Sequence, residues 1–373
     1  MYLSLNFVAV QLRSVIEVLE TLAPPGFQES YDNSGLLIGN QETECTGILV
    51  SLDITEAVLD EAIEKRANMV IAHHPLIFRG IKRITGKDHV ERCIIKAIKN
   101  DIAIYAIHTN LDNISNGVNA AIAEKIGLVN TSVLMPKESL LQKLVTFVPV
   151  DHAEKVRAAI FSAGGGNLGK YSECSFNLEG EGTFMALEGA DPFTGEINKR
   201  HAEKEVRIEI IFPSFRQQAV INAMKNAHPY EEVAYDILAL GNYLSDVGSG
   251  MLGELETELS EADFLHHLKN AFGISMVRHT GFSGRMVKKV AVCGGAGVFL
   301  LQNAIRAGAD VFVTADVKYH EFFDADGRIM LADIGHYESE QFTIGLLYDV
   351  LVQNFPNFAI LKTGVNTNPV GYF

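Results

Sequence analysis

The sequence predicts an α/β fold whose core is written in two halves, with an α+β insert between them. Two observations carry this. Short apolar runs alternate with amphipathic helical stretches from residue 46 to 127 and again from about 248 to 373, the rhythm of parallel βαβ units. Between them the order becomes β-α-β-β-(β)-α-β, that of a split βαβ or ferredoxin-like unit. A chain of 373 residues exceeds one ordinary core. The expected division is a first core half over 1–129, an insert over 130–247 and a second core half over 248–373.

The first stretch, up to Leu22, reads as an amphipathic helix; it lacks the basic, apolar and small-residue sections of a signal peptide. Residues 23 to 40, APPGFQESYDNSGLLIGN, are dense in turn formers and predict a loop. TGILVSLDI is a strand, followed by a helix capped by Thr55 with Glu56 in its first turn. MVIA is a buried strand that Pro75 stops, because proline cannot donate to a ladder. DHVERCIIKAIKND predicts a helix, AIYAIHT a strand, and NGVNAAIAEKIG a helix closing near Gly127.

In the insert, LQKLVTFVPV is a strand and Asp151 caps a helix. YSECSFNLEG, EGTFMALEG and EKEVRIEIIFP follow as strands, Ser214 caps a second helix, and VAYDILAL closes the unit. In the second half, strands GMLGELE, ISMVRHT, VKKVAVC, ADVFVTA, RIMLADIG and FAILKT alternate with helices, the last being one long helix over YESEQFTIGLLYDVLVQNF.

Net charge is −15 with a pI near 5.3, which argues against stable nucleic-acid binding. A small anionic substrate is still compatible, since a metal supplies local positive charge. The four cysteines form no CxxC pair and read as reduced thiols. No apolar stretch is long enough to span a bilayer. The expected location is the cytoplasm.

Chemistry concentrates at predicted strand ends, where open α/β sheets hold their ligands. IAHHPLIFRG places His73 and His74 at one such end. Adjacent side chains there point in different directions, so the pair suits two neighbouring metals or, equally, two hydrogen-bonded histidines at a sheet edge. HTNLD places His108 and Asp112 after the next strand; an Asp in a turn also serves backbone hydrogen bonding alone. DIGHYESE places His336 and Glu340 four apart, on one face of a helix start. Leaving His108 aside, the three imidazoles and two carboxylates leave open positions on two metals, the mark of a catalytic rather than a structural site. Nitrogen and oxygen donors suit zinc, iron, manganese or cobalt. GGAG at 294–297 fits tight strand-to-helix packing better than phosphate binding, since it departs from G-x-G-x-x-G. Thr314, Asp316 and His320 are candidates to support ligands or touch substrate.

Taken together, HHP (73–75), HTNLD (108–112) and GHYESE (335–340), with YDNSGLLIG (31–39), GGAG and TADVKYHE (314–321), resemble the NIF-three-like family, widely labelled GTP cyclohydrolase I type 2. The resemblance covers residues 1 to about 130 and about 250 to 373. It implies a dinuclear centre of two divalent metal ions (zinc, iron or manganese) held by His73, His74, Asp112, His336 and Glu340. The insert is similar to the PII- and CutA-like middle domain of longer bacterial members, and HPYEEVAYDI fits that pattern. A homohexamer is implied. The label implies a metal-dependent hydrolase that opens the guanine imidazole ring of GTP with metal-activated water, with His108 as proton shuttle. The alternatives are a phosphoester hydrolase and a regulatory or docking protein whose metals do no chemistry.

Overall fold

A computed structural model describes residues 10–372; the expected first helix is found as Leu12–Leu22, and the expectation for residues 1–9 lies outside the described residues. The chain divides into two compact units, one formed by 1–136 with 246–373 and the other by 137–245.

The first unit holds two sheets. The five-stranded sheet runs Gly35–Ile38, Ala103–Ala106, Met69–Ala72, Ile48–Ser51, Ile360–Lys362. It is parallel except at Gly35–Ile38, which pairs antiparallel with Ala103–Ala106. Its three central strands are buried at every residue, which is why they read as unbroken apolar runs. The six-stranded sheet runs Arg278–His279, Met330–Asp333, Val311–Thr314, Met286–Val292, Leu244–Ser260, Leu128–Lys137. Met286–Val292, Val311–Thr314 and Met330–Asp333 are parallel. Each half of the chain lends an edge strand to the other's sheet: Leu128–Lys137 joins the second and Ile360–Lys362 the first. Residues 130–136, expected in the insert, therefore run inside a core strand.

Helices cover the sheets. Glu56–Lys65 and His89–Lys99 pack Val58, Leu59, Ala62, Cys93, Ile94 and Ala97 onto Leu49, Val70 and Ile104; each fully buried leucine or isoleucine of that kind stabilises the fold by about 1.5–3 kcal/mol. Thr55 and Asp88 cap these helices, accepting from the amides of Val58 and Glu91. Thr343–Asn354 lies against Ile48–Ser51, Val118–Ile126 lies against Met286–Val292, and the two helices touch. The sheets are thus joined through a helical layer. No helix of the described residues is long and apolar enough to cross a membrane.

Within the second unit the strands Phe176–Met185, Arg200–Pro213, Leu141–Pro149 and Tyr235–Ala239 form one antiparallel sheet in that order. Ala153–Ser162 and Gln217–Ala227 pack Val156, Ile160, Val220 and Met224 onto Ile208, Ile210 and Phe212. Two expected strands merge into Phe176–Met185, because NLEGEGTFM pairs without a break along Arg200–Pro213. Asp151 and Ser214 do not cap: each sits in a 3₁₀ turn that precedes its helix.

Three further differences bear on the site. A strand, Gly35–Ile38, lies inside the predicted loop. Asp112 ends a single helical turn, Thr109–Asp112, rather than an open turn. The long helix expected over 337–355 is two helices, His336–Glu340 and Thr343–Asn354.

Candidate metal centre

The two histidines leave the Met69–Ala72 strand still held as its continuation, with the His73 amide donating to Ser51 O (3.3 Å) and the His74 amide to Leu52 O (2.9 Å). The ladder fixes their alternation: His73 turns into the protein and is fully buried, while His74 stays about one-fifth exposed. One strand over, His108 follows Ala103–Ala106, and the turn behind it donates the Asp112 amide back to His108 O (3.1 Å). In the second sheet, Met330–Asp333 ends and Gly335, at φ 91°, starts the helix carrying His336 and Glu340. A Cβ at Gly335 would lie 2.2 Å from Glu338 Oε2, so this junction requires glycine.

These strand ends meet. Glu340 Oε2 lies 2.9 Å from His74 Nε2 and 3.1 Å from His336 Nε2. It also lies 3.9 Å from His73 Nε2, which is 3.5 Å from Asp112 Oδ1. The two groups, His74–His336–Glu340 and His73–Asp112–Glu340, each hold their ligating atoms within 4.8 Å of one another and share Glu340; His73, His74 and His108 form a third such group. All five residues named from the sequence as ligands, and His108, are therefore brought together.

The donor set fits a cation. His73 Nε2 and Asp112 Oδ1 are buried with no hydrogen-bond partner among the described residues. Buried polar atoms left so are costly, and an imidazole nitrogen facing a carboxylate oxygen at 3.5 Å is the arrangement a divalent ion would satisfy. Burial pushes the His73 imidazole down to about 3, so it is neutral and ready to ligate. Burial also acts against charge on His74 and His336. The hydrogen bonds His74 donates to Asp53 and Glu340 outweigh it there, lifting His74 to about 10. Those His336 donates to Glu340 and Asp316 lift it to about 9. In the metal-free protein these protons hold the cluster together. Burial and the neighbouring Glu340 push the Asp112 carboxyl up, while the imidazoles facing Glu340 overcome its burial and hold it down.

Every one of the four imidazoles is tied at Nδ1 and so presents Nε2. His73 Nδ1 donates to Ile107 O (2.8 Å), His74 Nδ1 to Asp53 (2.7 Å), His108 Nδ1 to Asp32 (2.7 Å) and His336 Nδ1 to Asp316 (2.7 Å). Such partners fix tautomer and ring orientation. Asp32 also accepts from the Thr109 amide and hydroxyl. Burial opposes its ionisation, but these bonds and His108 hold it well below the usual carboxylate range. The other oxygen of Asp53 accepts from Thr367 Oγ1 (2.6 Å). The sequence reading passed over Asp32 and Asp53, although each had a signal: Asp53 follows an apolar strand as His73 does, and Asp32 lies in the loop singled out as a carrier of binding residues.

The GGAG stretch serves this cluster. Gly295, at φ 59°, approaches Glu340 so closely that a Cβ would lie 2.4 Å from Oε1. The amides of Gly294, Gly295 and Gly297 donate to Asn119 Oδ1, Ser339 Oγ and Thr314 Oγ1, each at 3.0 Å, so they are committed to packing and not directed at a phosphate. Of the other candidates, Thr314 braces this turn, Asp316 holds His336, and His320 is exposed beside Tyr319 and Phe323. His74, His108, Asp112, His336 and Glu340 line a cavity of about 890 Å³ with Tyr31, Phe78, Phe299 and Tyr372 among its walls.

The family model for Duf34/NIF3 (NGG1p interacting factor 3) matches residues 10–369. The chain is 43% identical over 331 residues to a Bacillus subtilis protein named GTP cyclohydrolase 1 type 2 homolog, covering 88% of this chain and 89% of that one. A namesake from Halalkalibacterium halodurans is 39% identical over 363 residues, with 96% and 97% covered. Among solved structures, a Bacillus cereus protein related to NIF3 superposes with a TM-score of 0.82 at 39% identity, over 98% of this chain and 100% of that one. A Staphylococcus aureus protein gives 0.77 at 30% identity, over 98% and 99%. A mixed α/β fold of several sheets, a cluster of histidine and carboxylate donors and a family match along nearly its whole length place this chain in the Duf34/NIF3 family.

Proposed function

We propose that the protein is a dinuclear metal-dependent hydrolase acting on a nucleotide-related ligand, as its relatives' name suggests. The observation that carries this reading is the pair of buried, unpartnered atoms, His73 Nε2 and Asp112 Oδ1, beside a carboxylate that two donor groups share. His73, Asp112 and Glu340 would hold one divalent ion, and His74, His336 and Glu340 the other. Zinc, iron and manganese all suit these donors. Bound there, such ions supply Lewis acidity and bring the pKa of water toward neutrality. The chain's own part is to keep Nε2 of each imidazole aimed inward, through Ile107, Asp53, Asp32 and Asp316. His108, oriented by Asp32 at the cavity wall, moves a proton between solvent and the reacting group.

For the architecture we read the insert, 130–247 from sequence and 137–245 by compactness, as ferredoxin-like; its β-α-β-β-α-β order supports this. The family resemblance supports a homohexamer in the cytoplasm. The experiment is a metal-resolved activity screen on the full chain, with GTP, other nucleotides and phosphodiesters. Turnover that requires metal and is lost in His74→Ala supports the reading. Stoichiometric metal with no turnover across the panel would favour a regulatory or docking protein instead.

A further inference from the structure

We propose that the site selects its substrate by a planar heteroaromatic ring stacked on Tyr31 and Phe78, and not by a polyphosphate; this rests on the proposed hydrolase reading for the reaction it feeds. Both side chains line the cavity above the histidines, and both are exposed, Tyr31 at 63% and Phe78 at 45%. Large apolar side chains left open beside a polar, buried cluster point to a ligand that covers them. Their rings lie 6.3 Å apart, tilted by 49°, and form one continuous wall. Phe78 in turn meets His108 edge-on at 6.3 Å. A ring resting on Phe78 is thereby set beside His108, whose imidazole faces the rings of His73 and His74.

Charge supports the same class. Among the described residues, Arg278 is the only arginine or lysine lining the cavity, against seven aspartate and glutamate side chains. Its guanidinium is already engaged, donating to Asp333 (2.9 Å) and to Val317 O (3.0 Å) and lying over the Phe322 ring. The glycine-rich amides that would otherwise cradle a phosphate are committed to side chains. Apart from the proposed metal ions, a triphosphate would need further cations and free amides to hold it, and this wall supplies neither. Stacking needs neither, and every nucleobase offers a π-face.

The test is equilibrium binding to the full chain, with and without zinc, using guanosine, adenosine, ribose 5-phosphate and inorganic triphosphate as probes. At least one nucleoside is expected to bind more than about 10-fold tighter than either phosphate probe. Tyr31→Ala and Phe78→Ala are expected to weaken it about 10-fold or more, with Tyr31→Phe and Phe78→Tyr restoring it. Metal content should stay unchanged throughout. The proposal is overturned if neither nucleoside binds, if triphosphate binds tighter than both, or if the alanine variants leave nucleoside affinity intact. Alanine variants that only dissociate an assembly would likewise overturn it and assign the rim to a subunit contact. A chain that holds no metal yet loses nucleoside binding in these variants would sink the hydrolase reading alone.

Discussion

Glu340 Oε2 and His74 Nε2 lie 2.9 Å apart although 266 positions separate the two residues in the chain. The contact joins the ends of two different sheets, and the same oxygen faces His336 and His73. Glu340 is thus the hinge of both donor groups. Glu340→Gln keeps the shape and removes the charge, so on the proposed dinuclear reading it should reduce bound metal from two ions per chain to below one. His74→Ala leaves the His73–Asp112–Glu340 group intact, so on the same reading it should remove one ion and keep the chain folded. Elemental analysis with circular dichroism checks both. A Glu340→Gln protein that still holds one ion at full occupancy would contradict a shared ligand.

The raised imidazoles give metal binding a pH dependence of definite sign. His74 at about 10 and His336 at about 9 are protonated at neutral pH in the metal-free protein, and ligation requires their neutral form. Binding should therefore release protons and tighten as pH rises toward 9–10. Calorimetry in buffers of different ionisation enthalpy measures the release. Stability of the metal-free chain runs the other way. Both folded values lie above an unfolded histidine's value of about 6.5, so their contribution is fully present below that pH and is lost as pH rises through 9 and 10. The melting temperature of the metal-free protein should fall over that window, and that of the loaded protein should hold.

Gly295→Ala separates backbone strain from contact with the site. At φ 59° the new side chain is strained, and its Cβ would press to within 2.4 Å of Glu340 Oε1. Gly308, at φ 73°, has open space around the same position. Each alanine should cost more than about 1 kcal/mol of stability, because alanine disfavours positive φ. Only Gly295→Ala should also lower metal content. Equal metal content in the two variants would mean that Glu340 moves aside freely.

Asp53 and Asp32 were harder to read than the ligands they support. A ligand such as His73 announces itself by an unusual residue type at the end of an apolar run. An aspartate after TGILVSL is ordinary turn chemistry, and only the fold shows that it reaches His74. The alternation of strands and helices was legible because central parallel strands are buried on both faces. The exchange of edge strands between the halves was not, since Leu128–Lys137 carries no mark of the sheet it will join. The break at residues 341–342 was hidden because Gln341 and Phe342, which fall between the two helices, include no glycine or proline to mark it. Asp53→Ala should lower metal affinity by about 10- to 100-fold, the usual effect of losing a ligand's hydrogen-bond partner. Asp53→Asn, which keeps an acceptor oxygen, should recover part of it. Competition against a chelator of known affinity measures the difference.

Removal of the insert tests whether the core stands alone. Its apolar cluster, around Ile208, Phe212 and Val220, is made of its own residues. The core clusters around Val70 and Phe312 draw on none of them. The core ends it would leave are close: a Cβ on Gly248 would lie 2.1 Å from Met135 O, because Leu128–Lys137 and Leu244–Ser260 are neighbours in one sheet. A few glycines and serines in place of residues 138–244 span that gap with little closure entropy. The shortened chain should fold, melt cooperatively and bind as much metal as the full chain, since every candidate ligand lies in the first unit. Circular dichroism and elemental analysis decide it. A well-folded core that has lost its metal would show that the insert closes the site or supplies something to it.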